Sequence, residues 1–252
     1  MNKDIWLKTK FVDNNVPDWS CPHCEKGVLK VDTFKSEETA LSRSWHGHED
    51  WEPEFIRSTF VGSLICPLCR EFIAFLGDGE LEQHHYYNEY NGHYVEEMYS
   101  TFTPKYFYPT LQLFEINNNC PNEIKKVVDE SFSLYWNDLS SCANKIRVSL
   151  ELLMNEFKIK KTFIDKKRKR QRLSLHGRIE EFKKIKPEIA EFLLAIKWIG
   201  NSGSHVGTME KIDILEAYEL LELSLNKLYD DTEDKLRKLS KQINKRKGTL
   251  KR

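Results

Sequence analysis

Two short cysteine motifs constrain this 252-residue chain more than any other feature. The segments Cys-Pro-His-Cys and Cys-Pro-Leu-Cys pair Cys21 with Cys24 and Cys66 with Cys69. A two-residue spacing lets one tight turn aim both sulfur atoms at one ion, and two such turns supply the four ligands of a tetrahedral zinc site. Because four cysteines close the coordination shell, we expect a structural zinc ion; a disulfide or a redox pair is the alternative.

The residues around the second motif predict a β-hairpin. The segment TFVGSLI precedes Cys66 and the segment REFIAFLG follows Cys69, and both are rich in strand-forming residues. We expect residues 1–114 to form a small β-rich, zinc-ribbon-like unit. The tyrosines of the aromatic stretch over residues 84–114 are expected to pack the junction with the next unit; stacking on nucleobases is the alternative. The other two cysteines, Cys120 and Cys142, are expected to be small core residues.

The remaining residues, 115–252, are predicted to be helical, because apolar residues recur at helical spacing from Pro121 onward and no further strand is expected. Helices are predicted over residues 121–136, 141–157, 174–185, 187–199 and 209–243. Brief connections between helices favour an antiparallel four-helix bundle. The predicted fold class is therefore α+β, with the β-rich unit followed by the bundle.

Charge is distributed unevenly, although 39 basic residues balance 39 acidic ones. Residues 1–130 hold 12 Lys and Arg against 22 Asp and Glu, and residues 131–252 hold 27 against 17. Mutual attraction of the two halves, or pairing in a dimer, is one explanation. The other is a surface for RNA or single-stranded DNA, because residues 158–172 and 235–252 are both strongly basic.

The basic run at 158–172 contains the cluster that we expect to contact nucleic acid, unless it is only a solvated loop. Its members are Lys166, Lys167, Arg168, Lys169 and Arg170. No run of about 18 apolar residues is present, and the first residues lack the apolar core of a secretory signal. We therefore expect a cytoplasmic protein with no membrane partner and with reduced or metal-bound cysteines.

Four segments carry a resemblance to a known group of proteins. They are YPT at 108–110, CPNEIKKVVDES at 120–131, ANKIRVSLELLM at 143–154 and IKWIGNSGSH at 196–205. As a set they resemble a bacterial branch of the HEPN superfamily (higher eukaryotes and prokaryotes nucleotide-binding), in which a Cys-x-x-Cys zinc unit often precedes the helices. Arg147 and Glu151 match its Arg-x-x-x-Glu pair, and Gly200, Asn201 and His205 match its Gly-Asn-x-x-x-His turn.

The resemblance implies a four-helix bundle that often forms homodimers and occurs in toxins, RNA-processing factors and phage-defence proteins. Active members are metal-independent ribonucleases with an Arg-x(4–6)-His motif. Here His205, beside Asn201, would transfer protons around the ribose 2′-hydroxyl, and a cation would stabilise the phosphorane. Gly200 stands at the position of the motif's arginine, so Lys197, Arg147 or a partner chain would have to supply that charge.

The same residues also have structural explanations. The segment GNSGSH can end a helix, with Gly200 or Asn201 in a left-handed cap and His205 packed nearby. Arg147 and Glu151 can form an ordinary surface pair at i, i+4. Three functions follow from these alternatives. They are a ribonuclease of phage defence or RNA turnover, a non-catalytic nucleic-acid- or nucleotide-binding module, and an adaptor that docks a protein effector.

Overall fold

The computed structural model describes residues 1–12, 14–88, 92–202 and 209–247. The elements of the first half are, in chain order, α1 (Lys3–Leu7), β1 (Phe11–Val12), β2 (Lys30–Glu38), α2 (Ala40–Ser44), a 3-10 turn (Pro53–Phe55), β3 (Arg57–Ile65), β4 (Phe72–Asn88) and β5 (His93–Tyr108). Those of the second half are α3 (Asn122–Leu134), α4 (Leu139–Glu156), β6 (Thr162–Ile164), β7 (Arg170–Arg172), α5 (Leu175–Lys183), α6 (Pro187–Ser202), α7 (Lys211–Tyr229) and α8 (Thr232–Arg246). This mixture confirms the predicted α+β class.

One antiparallel sheet organises the first half, with the strand order β1-β5-β4-β3-β2. The predicted hairpin is confirmed, because β3 pairs with β4 from Arg57 opposite Glu80 to Ile65 opposite Phe72. The pairing of β4 with β5 continues past Glu80, so residues 81–88 and 93–100 extend beyond β3 as a two-stranded arm. The second cysteine motif therefore lies in the turn of the central hairpin.

Five phenylalanines pack together in the core of the sheet, with the ring centroids of neighbouring pairs 4.8–6.4 Å apart; they are Phe11, Phe34, Phe60, Phe75 and Phe102. The strands approach these rings closely at the β-bulge before Gly77. A Cβ atom at Gly77 would lie 2.1 Å from the carbonyl oxygen of Thr103 and 2.9 Å from the ring of Phe60. Glycine is therefore the residue that this bulge accepts.

Trp136, just beyond α3, joins the sheet to the helices. Its ring centroid lies 4.6 Å from that of Phe107, 5.6 Å from that of Trp19 and 6.2 Å from that of Trp6. The neighbouring Tyr135 donates a hydrogen bond from its buried hydroxyl to the carbonyl oxygen of Trp6 at 3.0 Å. The N-terminal segment, the last strand of the sheet and the first long helix therefore share one aromatic cluster.

The prediction that the tyrosines of residues 84–114 pack this junction is wrong for the four tyrosines that follow, all of them described by the structure. Tyr94 and Tyr108 are 80% and 81% exposed, and Tyr87 and Tyr106 are also exposed. Tyr87 and Tyr94 lie on the two-stranded arm, where their ring centroids are 5.3 Å apart. Tyr87 and Tyr94 are exposed because the arm extends beyond β3, whereas strand alternation turns Tyr106 and Tyr108 outward. Tryptophan and phenylalanine therefore fill the junction instead.

Helices α3 to α7 surround the other part of the core. Helix α4 contacts α3, α5, α6 and α7, and α6 also contacts α5 and α7. At the centre, the buried Tyr218 hydroxyl donates to Ser131 Oγ at 2.8 Å and lies 3.1 Å from Cys142 Sγ. Cys120 and Cys142 are buried free thiols, which confirms their expected place in the core. Burial raises the pKa of Cys142 to about 12, so this thiol stays protonated.

The end of α6 differs from the prediction. The helix passes through Gly200 and Asn201 to Ser202, the last described residue before position 209, so a left-handed cap at Gly200 or Asn201 is wrong. A Cβ atom at Gly200 would lie 3.6 Å from the carbonyl oxygen of Ala143 on α4, which is an ordinary van der Waals distance. Packing against α4 therefore does not require glycine at this position.

The predicted long helix over residues 209–243 is two helices, α7 and α8. Asp230 has an extended backbone, and its side chain accepts the N–H of Thr232 at 2.8 Å. This local hydrogen bond competes with the helix and breaks it. The expectation of no strand after Pro121 is also wrong, because β6 and β7 form a hairpin.

The predicted unit boundary between residues 114 and 115 falls in the connection between β5 and α3 and stays a prediction. Among the described residues, no helix combines the length and the apolar character that a bilayer crossing requires.

Candidate metal centre and polar pocket

The four predicted cysteine ligands come together from two separate turns. Cys21 and Cys24 precede β2, and Cys66 and Cys69 lie between β3 and β4. All four sulfur atoms lie within 4.8 Å of one another. The Cys21–Cys69 and Cys24–Cys66 sulfur pairs are each 3.6 Å apart. The four thiols are free of disulfides, so the structure disagrees with a disulfide pairing.

The two turns have the same backbone geometry. In the first, the N–H of Glu25 donates to the carbonyl oxygen of Cys21 at 2.9 Å; in the second, the N–H of Arg70 donates to that of Cys66 at 3.0 Å. Glu25 and Arg70 both have left-handed backbone angles, with φ of 59° and 65°. Each turn thus directs its two sulfur atoms to the same side, as the two-residue spacing predicts.

Backbone N–H groups point at the sulfur atoms. Those of Lys26 and Gly27 donate to Cys24 and lower the pKa of its thiol to about 6. Burial raises the pKa of Cys21, while the N–H groups of Cys24 and His23 act in the opposite direction. Such donors stabilise a thiolate, which is the form of cysteine that binds a metal.

The thiols also act on one another. The N–H of Glu71 lowers the pKa of Cys69, but desolvation and the three neighbouring sulfur atoms outweigh it and raise that pKa to about 12. Four sulfur atoms at this separation repel one another once they ionise. A divalent cation among them would remove this repulsion and deprotonate the thiols.

The distances fit a tetrahedral metal. Metal–sulfur bonds of about 2.3 Å place the sulfur atoms of a tetrahedral site about 3.8 Å apart, close to the separations observed here. The space beside the sulfur atoms is tight, because a Cβ atom at Gly27 would lie 2.3 Å from Cys66 Sγ. The four-cysteine cluster is therefore compatible with a metal ion, and its four ligands leave no position open for a substrate.

Arg147 and Glu151 of α4 lie close together without a hydrogen bond. Arg147 Nη2 is 4.0 Å from Glu151 Oε1, and both side chains are partly exposed. The Nε atom of Arg147 is buried and has no hydrogen-bond partner in the described part of the chain. The structure therefore agrees with the structural alternative, a surface ion pair at i, i+4, at the long limit of ion-pair distance, and the two side chains form no closed network.

Lys197 of α6 lies near this pair. Its side chain is 9% exposed, and Nζ lies 3.3 Å from the centroid of the Trp198 ring. Desolvation lowers the pKa of Lys197, and the positive charge of Arg147 lowers it further. Asn201, one turn further along α6, is partly buried. His205 lies outside the described residues, so its predicted position next to Asn201 stays a prediction.

A cavity of about 400 Å³ adjoins Arg147 and Glu151; its other polar lining residues are Asn155, Lys161, Arg172, Ser174 and Arg178. Arg178 is only 6% exposed and was not among the predicted site residues. Its position could have indicated a special role. It lies three residues after Leu175 and four before Phe182, on the apolar side of α5. A cation at such a position needs a structural or functional explanation.

The predicted nucleic-acid cluster lies at the turn of the β6–β7 hairpin. Asp165 shapes this turn, because its Oδ1 accepts the N–H groups of Lys167 and Lys169 at 2.9 and 2.8 Å. Arg168 has a left-handed φ of 58°. The five cations from Lys166 to Arg170 are exposed and form no ion pair within the described ranges, so their charge faces solvent.

Three of the described ion pairs join the two halves of the chain. Lys145 with Glu130 pairs a base of the second half with an acid of the first. Lys3 with Glu219, and the N-terminal amine with Glu222, pair charges in the opposite sense. Most acidic residues of the sheet pair locally; Glu80 and Glu82, for example, both contact Lys10 at 2.5 Å.

Comparison with known proteins places two family matches on the chain. Residues 9–107 match a model described as a domain of unknown function (DUF8608), and residues 129–246 match a second one (DUF4145). No curated protein and no solved structure matches the chain. The first match contains the sheet and the four-cysteine cluster, and the second contains α4, the basic hairpin and α6. The HEPN resemblance therefore stays a prediction.

The contact between Gly27 and Cys66 gives a test of the metal centre. We expect Gly27→Ala to weaken metal binding by about 10–100-fold, the usual cost of disturbing the surroundings of metal ligands. Competition with a chromophoric chelator measures this affinity. Gly47→Ala is the matched control, because a Cβ atom there meets nothing within 4 Å. Equal metal affinity of the two variants would contradict the assignment.

Proposed function

We propose that the chain is a zinc-containing, HEPN-like protein that binds RNA. The observation that carries the proposal is the β6–β7 hairpin, which presents five exposed cations on a turn fixed by Asp165. A fixed array of unpaired positive charges favours a polyanionic ligand and gives it a defined place on the surface. The acidic local charge of the sheet argues against phosphate binding there, so the helical half is the proposed RNA-binding unit.

The proposed bundle type, homodimer, metal identity and cellular location rest on the sequence. Helices α3 to α7 would form the antiparallel four-helix bundle of the HEPN type, with the short α5 as an added helix, and two chains would pair as a homodimer. The metal of the four-cysteine cluster would be Zn²⁺, since four thiolates in a tetrahedral arrangement are typical of structural zinc. Reduced cysteines agree with a cytoplasmic location.

RNA binding is tested by removing the hairpin charges. Replacing the cations from Lys166 to Arg170 by glutamine should weaken binding at low salt. It should also flatten the slope of log affinity against log salt by about 0.7 for each contact with a phosphate that the variant no longer makes. Fluorescence anisotropy of a labelled single-stranded RNA across a salt series measures both quantities.

The matched control removes five charges elsewhere in the basic half, by changing Lys235, Arg237, Lys238, Lys241 and Lys245 of α8 to glutamine. If both variants flatten the slope equally, the hairpin has no special role and net charge alone attracts the RNA. A wild-type protein that binds no RNA at low salt would refute the proposed function.

A second candidate function is metal-independent RNA cleavage, favoured by the proximity of Lys197 to Arg147. In this reaction the ribose 2′-hydroxyl attacks the adjacent phosphorus, and the bond to the 5′ oxygen breaks. His205 would take the hydroxyl proton or protonate the leaving oxygen, and Lys197 or Arg147 would stabilise the phosphorane charge. The non-catalytic binding module and the adaptor for a protein effector remain the alternatives, because Gly200 replaces the motif's arginine.

If the protein cleaves RNA in this way, the imidazole of His205 is required for the proton transfer. His205→Ala should lower the cleavage rate by about 10²–10⁴-fold while RNA affinity is retained, and Lys197→Arg should preserve the rate. The products should end in a 2′,3′-cyclic phosphate, as determined by mass spectrometry after incubation with EDTA. His48→Ala serves as the control, because His48 is exposed and distant from His205 in the sequence. Loss of helical circular dichroism in His205→Ala would instead assign the histidine a structural role.

A further inference from the structure

Arg178 is a buried cation without a buried counter-charge. Its Nη2 donates to Asn155 Oδ1 at 2.8 Å and to the carbonyl oxygen of Ile159 at 3.2 Å, and its Nη1 donates to the carbonyl oxygen of Glu151 at 3.4 Å. These acceptors are neutral, and within the described ranges Arg178 forms no ion pair with a carboxylate. A buried charge is normally paired, because transfer out of water is costly.

Two guanidinium groups leave donors unused at the same cavity. The Nε atoms of Arg178 and Arg147 are both buried and lack hydrogen-bond partners in the described part of the chain. Buried donors of this kind are rare in folded proteins, and each calls for an explanation such as strain, a catalytic role or a bound water or ion. Both residues line the cavity of about 400 Å³ described above.

The remaining lining residues increase the positive potential. Lys161 and Arg172 bring the number of cations to four, whereas Glu151 is the carboxylate among the described lining residues. Desolvation lowers the pKa of Arg178; the carboxylate of Glu151 opposes this effect, and the like charge of Arg172 adds to it. The cavity therefore holds more positive than negative charge.

The cavity also contains the start of a helix. Helix α5 runs from Leu175 to Lys183, and both its N-cap residue Ser174 and its first residue Leu175 line the cavity. Ser174 Oγ accepts the N–H of Gly177 at 3.2 Å, which fixes this end. The first N–H groups of a helix have no partner within the helix and carry partial positive charge, which suits a phosphate group.

From these observations we infer that the cavity between α4, α5 and β7 binds a phosphate monoester, held by Arg147, Arg172 and Arg178 at the N-terminus of α5. A dianionic group matches the excess of cations, and planar guanidinium groups match the oxygen geometry of a phosphate. The monoester is that of a free nucleotide or of the phosphorylated end of an RNA strand. The inference stands apart from RNA binding by the hairpin, and the two can fail separately.

Isothermal titration calorimetry at low salt tests the site with inorganic phosphate and adenosine 5′-monophosphate, and with adenosine as the ligand that lacks phosphate. Arg172→Gln should weaken binding of the monophosphate about tenfold, the effect of removing one charged hydrogen bond. Lys238→Gln is the matched control, because it removes one positive charge from an exposed position on α8, outside both the cavity and the hairpin. It should change the affinity less than about twofold.

A 5′-phosphorylated ribo-oligonucleotide and its 5′-hydroxyl counterpart identify the source of the phosphate. Tighter binding of the phosphorylated strand, sensitive to Arg172→Gln, assigns an RNA end; equal binding of the two strands, with monophosphate binding retained, assigns a free nucleotide. The inference is overturned if neither inorganic phosphate nor adenosine 5′-monophosphate binds at about 1 mM, or if Lys238→Gln and Arg172→Gln have the same effect.

Discussion

The convergence of four cysteine sulfur atoms within 4.8 Å is the constraint on which the first half of the fold depends. It fastens the segment before β2, which is largely without regular structure, to the turn of the β3–β4 hairpin. Trp19, two residues before Cys21, is fully buried and contacts Trp136 at the end of α3. A metal in the cluster would therefore also hold the aromatic junction through which the helices attach. Structural zinc contributes on the order of 10 kcal/mol to folding, enough to fix so short a segment.

The features that depend on short sequence patterns, namely the cysteine cluster, the β3–β4 hairpin and the helices, were predictable from the sequence. The spacing of the cysteines predicted that the four thiols meet, and the strand-rich segments beside Cys66 and Cys69 predicted the hairpin that carries them. Helical periodicity predicted the segments that became α3 to α7, because each has an apolar side that needs burial. Gly27 could have been recognised as part of the centre, since it follows the first motif, but its need for space beside Cys66 depends on a contact distant in the sequence.

The features that sequence reasoning missed depend on tertiary context or on local hydrogen bonds. The β6–β7 hairpin is dominated by lysine and arginine, and Asp165 alone indicates its turn. Tyr87 and Tyr94 of the two-stranded arm resemble core residues, yet they are exposed because the arm extends past β3. Arg178 was overlooked because its neighbours at helical spacing are apolar; its importance is evident only beside the unused donors of Arg147. The phosphate pocket that we infer thus combines residues from three separate elements.

X-ray absorption spectroscopy at the zinc edge of the purified protein tests the central claim most directly. The account predicts one zinc ion per chain surrounded by four sulfur atoms at about 2.3 Å, with no nitrogen or oxygen neighbour in the first coordination shell. Removal of the metal by a strong chelator should then expose the aromatic junction, visible as a change in tryptophan fluorescence. A coordination shell that contains nitrogen or oxygen, or a metal-free protein with unchanged tryptophan fluorescence and stability, would contradict the account.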